Sequence, residues 1–165
     1  MSERYEPPSD FLMLAINEDV AFTGGEHADA NLRRLIQMTR DRHPANRDWA
    51  TLLLAQQDLD TPEIRQTLLL AAEDENDHVR GEAILGLAQR DQALALPLLQ
   101  RELLRETVAL QMFEAAAIVA HAVLAPLLEA FTEPSGDQFL DEVALAAFEA
   151  CRPDGLIARN PNRYR

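Results

Sequence analysis

The chain contains no lysine; all 15 of its basic residues are arginine. It has a single cysteine, Cys151, so an internal disulfide is impossible. That excludes a disulfide-stapled scaffold and fits a reducing compartment, so a cytoplasmic location is expected. Aromatic residues make up only 5% of the chain, and no run of Val, Ile, Thr and aromatics marks a strand. Long apolar runs are missing too. Residues 115–128 form the longest uncharged stretch, and it contains His121 and Pro126. A membrane-spanning helix needs about 20 apolar residues, so no span is expected. The opening residues, Met1-Ser2-Glu3-Arg4-Tyr5-Glu6-Pro7-Pro8, lack the basic start and apolar run of a signal peptide.

Positive charge is scarce. Fifteen arginines face 28 acids, a net charge of −13. A nucleic-acid binder needs a basic footprint to neutralise phosphates, and this composition is the reverse. Anionic lipid would be repelled as well. A basic protein partner suits the charge, because opposite potentials speed and orient encounter, although plain solubility accounts for acidity equally well. The imbalance is uneven. Arg152, Arg159, Arg163 and Arg165 near the C-terminus face only Asp154, and the rest is correspondingly more acidic.

What is present is alanine and leucine, the strongest helix formers. A length of 165 residues suits one domain with a continuous core. Ser9 or Asp10 is expected to cap a helix over residues 11–22, stopped by Thr23-Gly24-Gly25. Asp29 is expected to open the next helix, with His43-Pro44 breaking it. From there one pattern recurs. Ala50/Leu54, Ala83/Leu87, Ala115/Val119 and Ala144/Phe148 each place a large residue four after an alanine, at offsets of about 33, 32 and 29 residues along the chain. Positions four apart share a helix face, and the small alanine lets a neighbouring helix approach. Each such helix follows another apolar segment, at residues 32–38, 64–71, 94–104 and 123–131. Two of these carry Pro-Leu-Leu, at Pro97 and Pro126, where proline is expected in a helix's first turn.

The run Asp77-His78-Val79-Arg80-Gly81-Glu82-Ala83-Ile84-Leu85-Gly86-Leu87-Ala88 resembles the second helix of a HEAT repeat. It is most similar to the short bacterial subclass called PBS-lyase HEAT-like repeats. The family pattern is met by Asp77, Val79, Arg80, Ala83, Gly86 and Leu87. The first repeat keeps Arg47 and Ala50, with Asn46 in the Val place. In the third and fourth, Met112 and Asp141 stand where Arg is expected, so the family's Asp–Arg ladder is not continued there. The resemblance covers roughly residues 31–151. It implies an all-α fold: an α-α superhelix, or solenoid, of about four HEAT-like helix pairs, here with an N-terminal capping helix. It also implies a concave face lined by the second helices and used to bind proteins. Residues 1–8 are expected to be disordered, residues 9–152 to form the repeat domain and residues 153–165 a basic tail.

Residues that carry chemistry are few and scattered. Cys151 has no nearby histidine or second thiol, and reads as a small residue near a helix end. His27, His43, His78 and His121 show no metal-ligand spacing; His43 and His78 read as turn residues and His121 as the end of an apolar helix. No metal, cofactor or catalytic residue is expected. Trp49 stands where later repeats carry Glu82, Glu114 and Val143. It is either a binding anchor or a cover under the N-terminal helix.

The expected function is a non-catalytic protein-interaction scaffold or adaptor, docking a basic partner on an acidic concave face. The candidate surface is Arg47, Asp48, Trp49, Thr51, Arg80, Glu82, Met112, Glu114, Asp141, Glu142 and Leu145. The chain itself is expected to be a monomer or weak homodimer. An immunity or antitoxin protein that neutralises a basic toxin is the alternative. A bilin-lyase-type enzyme subunit follows from family habit alone, and nothing in the residues points to chromophore handling.

Overall fold

The computed structural model describes residues 5–154, and every regular element among them is helical. The single domain expected over residues 9–152 divides by contact into two compact units, between Gly86 and Leu87. Residues 155–165, most of the expected basic tail, lie outside the described range.

In the first unit, helix α1 spans Asp10–Ile16. The Ser9 hydroxyl caps it, accepting from the Leu12 amide at 3.4 Å. The helix expected over 11–22 is cut short after Ile16. Asn17 closes it, and Glu18 adopts a left-handed backbone with φ 63°. Phe22 still enters the core, but on the returning chain, edge-on to Phe11 with ring centroids 6.5 Å apart. The Arg34 guanidinium sits over the Phe11 ring at 4.4 Å.

Helix α2 spans Ala28–Met38 and α3 spans Pro44–Ala55. The expected break at His43-Pro44 is instead a helix start. Pro44 occupies the first turn of α3, where no donor is lost, and His43 Nδ1 accepts from the Ala45 amide at 3.2 Å. Helix α4, Pro62–Ala71, begins the same way, with Pro62 behind a Thr61 cap. Helix α5 runs from Asp77 to Arg90. Ala50, Leu54, Ala83 and Leu87 are fully buried, as their spacing predicts. Gly86 explains the close approach of the first unit's helices. A Cβ there would lie 2.8 Å from Ala55 Cβ and 3.2 Å from both Ala55 Cα and Leu68 Cδ1.

In the second unit, α6 spans Gln92–Glu102 and α7 spans Leu110–Val119. Pro97 lies inside α6 rather than in its first turn, because the Asp91 cap starts the helix five residues earlier than the proline alone suggests. The segment expected as one helix over 123–131 is broken. It forms a 3₁₀ turn at Ala122–Leu124, a single α-turn α8 at Ala125–Leu128, and a second 3₁₀ turn at Glu129–Phe131. Pro126 does sit in the first turn of α8. Helix α9, Gln138–Cys151, packs along α7. Ala144 and Ala147 are buried there with Ala115 and Ala116, while Phe148 is only half-buried. Small residues on both helices leave little side chain between the two backbones.

Two substitutions test this packing. Gly86→Val puts branched atoms where even one carbon collides. Overpacking predicts a loss of about 2 kcal/mol, read as a lower urea midpoint with unchanged slope. Ala120 closes α7 in the left-handed region, at φ 46°. Ala120→Gly removes that strain and is expected to raise stability by about 1 kcal/mol, with a higher Tm.

Candidate partner-binding surface

Three positions before the buried alanine, each second helix carries a residue expected to face a partner: Arg47, Arg80, Met112 and Asp141. The structure turns all four to the fold's own use. Arg47 is largely buried and grips Asp74 with two bonds, Nε to Oδ2 at 2.7 Å and Nη2 to Oδ1 at 3.0 Å. Its Nη1 donates to the carbonyls of Asp41 at 3.2 Å and Arg42 at 3.4 Å. Arg80 is buried and donates through Nη1 to the carbonyls of Asp74 and Glu75, both at 3.0 Å. Met112 is buried in the core. Asp141 accepts from the Ser135 amide at 2.9 Å and the Ser135 hydroxyl at 2.6 Å. Those two bonds hold its carboxyl below the usual carboxylate range. Thr51 is fully buried, its hydroxyl donating to the Arg47 carbonyl at 2.7 Å. Arg47, Arg80, Thr51 and Met112 are therefore structural residues, and their place in the expected docking surface is corrected.

A single geometry unites the polar members of this set. The arginines reach the carbonyls five and six residues back, and Asp141 reaches the amide six residues back. A cation bonds carbonyls and an anion bonds an N–H, so the turn before the helix is held in either polarity. The turns themselves are ordered alike. Asp41 accepts from the His43 amide at 2.8 Å, and Asp74 accepts from the Asn76 amide at 2.9 Å.

The outer positions of the first unit are engaged differently. Residues 5–8 belong to the stretch expected to be disordered, yet Pro7 is buried and the Ser9 amide donates to Asn46 Oδ1 at 3.2 Å. Trp49 is half-buried. Its indole N–H donates to the Tyr5 carbonyl at 3.1 Å, so its cover is the segment ahead of α1. Asp48 accepts from the Tyr5 hydroxyl. Burial pushes the Asp48 carboxyl up, against the pull of His78 and of that bond. Glu82 and Glu114 are half-buried.

The second unit keeps an open surface. On α9 the residues Gln138, Glu142, Leu145 and Glu149 fall at helical spacing and all are exposed, opposite buried Ala144, Ala147 and Cys151. A largely apolar groove of about 430 Å³ runs beside the start of α9, lined by Thr132, Pro134, Gly136, Gln138, Asp141, Glu142 and Leu145. It brings together three of the expected residues, Asp141, Glu142 and Leu145. Thr132, Pro134, Gly136 and Gln138 were not singled out by sequence; only the Pro-Ser-Gly-Asp turn signals the wall they build. Phe139, 61% exposed, is a further residue missed, although the same helical spacing puts it outside.

The comparisons with known proteins agree with this architecture. A family model for HEAT repeats matches residues 32–120. The chain belongs to the HEAT-repeat family. Protein YibA of Escherichia coli K12, and that of E. coli O157:H7, are each 32% identical over 100 residues, covering 61% of this chain and 36% of YibA. The chain thus spans little more than a third of the length of these curated relatives. An X-ray structure of E. coli YibA superimposes with a TM-score of 0.61 at 24% identity, over 86% of this chain and 54% of that one. At that identity the likeness concerns the fold alone.

Two measurements test the polar framework. Removing one partner of the largely buried Arg47–Asp74 pair strands the other, so Arg47→Ala and Asp74→Ala are each expected to cost about 2 kcal/mol. The double variant is expected to cost clearly less than the sum, in a urea-melt cycle. The His43 amide holds the Asp41 carboxyl below its ordinary value. Its charge therefore stabilises the fold above the unfolded carboxylate range, about pH 4, and that contribution is lost as pH falls through the lowered value. Asp41→Asn is expected to be less stable than wild type at neutral pH, with the gap narrowing in urea melts taken at successively lower pH below the unfolded carboxylate range.

Proposed function

We propose that this HEAT-repeat chain is a non-catalytic interaction module that docks a basic protein on the acidic surface of its second unit. One observation carries the reading. From residue 106 to residue 151 the chain holds eight carboxylates and no arginine or lysine. Glu106, Glu129, Glu133, Asp137, Glu142 and Glu149 are exposed. Glu149 is paired with Arg152 at 3.0 Å, and the remaining excess of carboxylates attracts a cationic partner and orients its approach. Cys151 and two of the four histidines already serve the fold. Cys151 is buried with Sγ 3.4 Å from the Ala116 carbonyl, and His43 and His121 cap helical turns. Masking a basic toxin is a special case of the same docking. Among the described residues no helix is long and apolar enough to cross a membrane.

The test is capture from native-host lysate on the immobilised full chain, beside a Glu133→Arg, Glu142→Arg variant. Both positions are exposed, so little stability is lost. A basic protein retained at low salt, released near 0.5 M salt and lost to the variant is the expected result. If wild type and variant retain the same proteins at low salt, the reading fails.

A further inference from the structure

The groove beside α9 is built before any partner arrives. Gly136 takes φ +98°, a conformation that L side chains rarely adopt, and so turns the chain back at the base of the loop. Ser135 then bonds Asp141 through both its amide and its hydroxyl, and the Asp137 amide donates back to the Ser135 hydroxyl at 3.2 Å. Asp137 Oδ1 accepts from the Leu140 amide at 3.1 Å and caps α9. Four hydrogen bonds thus fix the loop wall against the helix wall. The lining is largely apolar, with Pro134 and Leu145, and includes the carboxylates of Asp141 and Glu142. Gln138 Nε2 donates to Glu142 Oε1 at 2.9 Å and so orients that carboxylate. Leu145 is 48% exposed and Phe139 61%, so apolar surface stands beside the carboxylates at the start of α9.

We infer that this groove takes one aliphatic side chain presented by a basic segment of a partner protein, with arginine or lysine on either side of it. A volume of about 430 Å³ lies near the small end of ligand sites, room for one or two side chains rather than a whole helix. Charge complementarity selects the flanks. Every charged residue lining the groove is an acid, and the nearest arginines in sequence are Arg105 and Arg152. The lining carboxylates favour guanidinium, which pairs with them in a planar fork. The apolar part of the lining, Pro134 and Leu145, favours a leucine or methionine between those cations. A preformed wall lowers the ordering cost of binding, so a short peptide suffices as a probe. The inference rests on the interaction-module reading and adds a specific apolar subsite to it.

Two fluorescent peptides of about a dozen residues separate the two. The first carries a leucine flanked by arginines, and the second replaces that leucine by serine at equal charge. Anisotropy titration of the full chain at about 0.05 M salt is expected to show the leucine peptide binding roughly tenfold tighter. Leu145→Ser, at an exposed position, is expected to abolish that preference and leave the serine peptide unchanged. Glu142→Gln is expected to weaken both, and thermal melts of each variant check that the fold is kept. Equal binding of the two peptides to wild type, or a preference that survives Leu145→Ser, overturns the groove inference and leaves the acidic docking surface standing. If neither peptide binds at low salt, both readings fall.

Discussion

The grip of Arg47 on Asp74 is the contact on which the first unit's order depends. One guanidinium supplies the α3 end with two bonds to a carboxylate in the α4–α5 turn, and two more to the carbonyls of its own preceding turn. The pair is largely shielded, 12% exposed on each side, so water does not screen it as it would a surface pair. Asp74 in turn accepts from the Asn76 amide, and so orders the turn from which α5 starts. Arg80 fastens the opposite side of that turn through its two carbonyls. Neither arginine has charge to spare for a partner. The acidic character of the molecule is therefore left to carboxylates elsewhere.

Close helix approach is the second constraint, and it works through small side chains. Gly86 lies against Ala55 with no room for a methyl group. Ala115, Ala116, Ala144 and Ala147 are buried on α7 and α9. Burying alanine brings little hydrophobic area per residue, so the larger side chains beside it, Leu54, Leu87 and Phe113, supply most of the burial. The fourth second helix departs from this. Phe148 is half-buried and lies under the Arg152 guanidinium at 6.0 Å, at the edge of the described fold.

Sequence periodicity was sufficient to place most of the helix pairs, because an alanine with a large residue four later reports a buried helical face in three of its four occurrences. Besides the broken segment over 123–131 it misplaced three features, each for a local reason. Phe22 keeps the helical phase of Phe11 yet reaches the core from a returning loop, since burial does not report which backbone delivers the side chain. Pro97 sits inside α6 because the Asp91 cap overrides the proline as the start signal. His43-Pro44 reads as a stop and acts as a start, for a proline tolerated in a first turn is indistinguishable in sequence from one that ends a helix. Of the candidate surface, Glu142 and Leu145 were legible from outward helical spacing. Arg47 and Arg80 were not, because charge alone does not tell an exposed arginine from one spent on turn carbonyls.

Asp141 shows how the acidic surface arises without loss of the turn. It occupies the arginine position and repeats the arginine's reach to the sixth residue back, but bonds an amide where arginine bonds a carbonyl. The backbone offers both groups at a turn, so either sign can be bonded there, the shorter aspartate needing the turn to come closer to the helix. Exchanging arginine for aspartate there turns a cation that would have neutralised the neighbouring acids into another acid. The loop that Asp141 fixes is also the wall of the groove. One residue that departs from the repeat pattern thus adds a carboxylate to the groove lining and two of the bonds that order its wall.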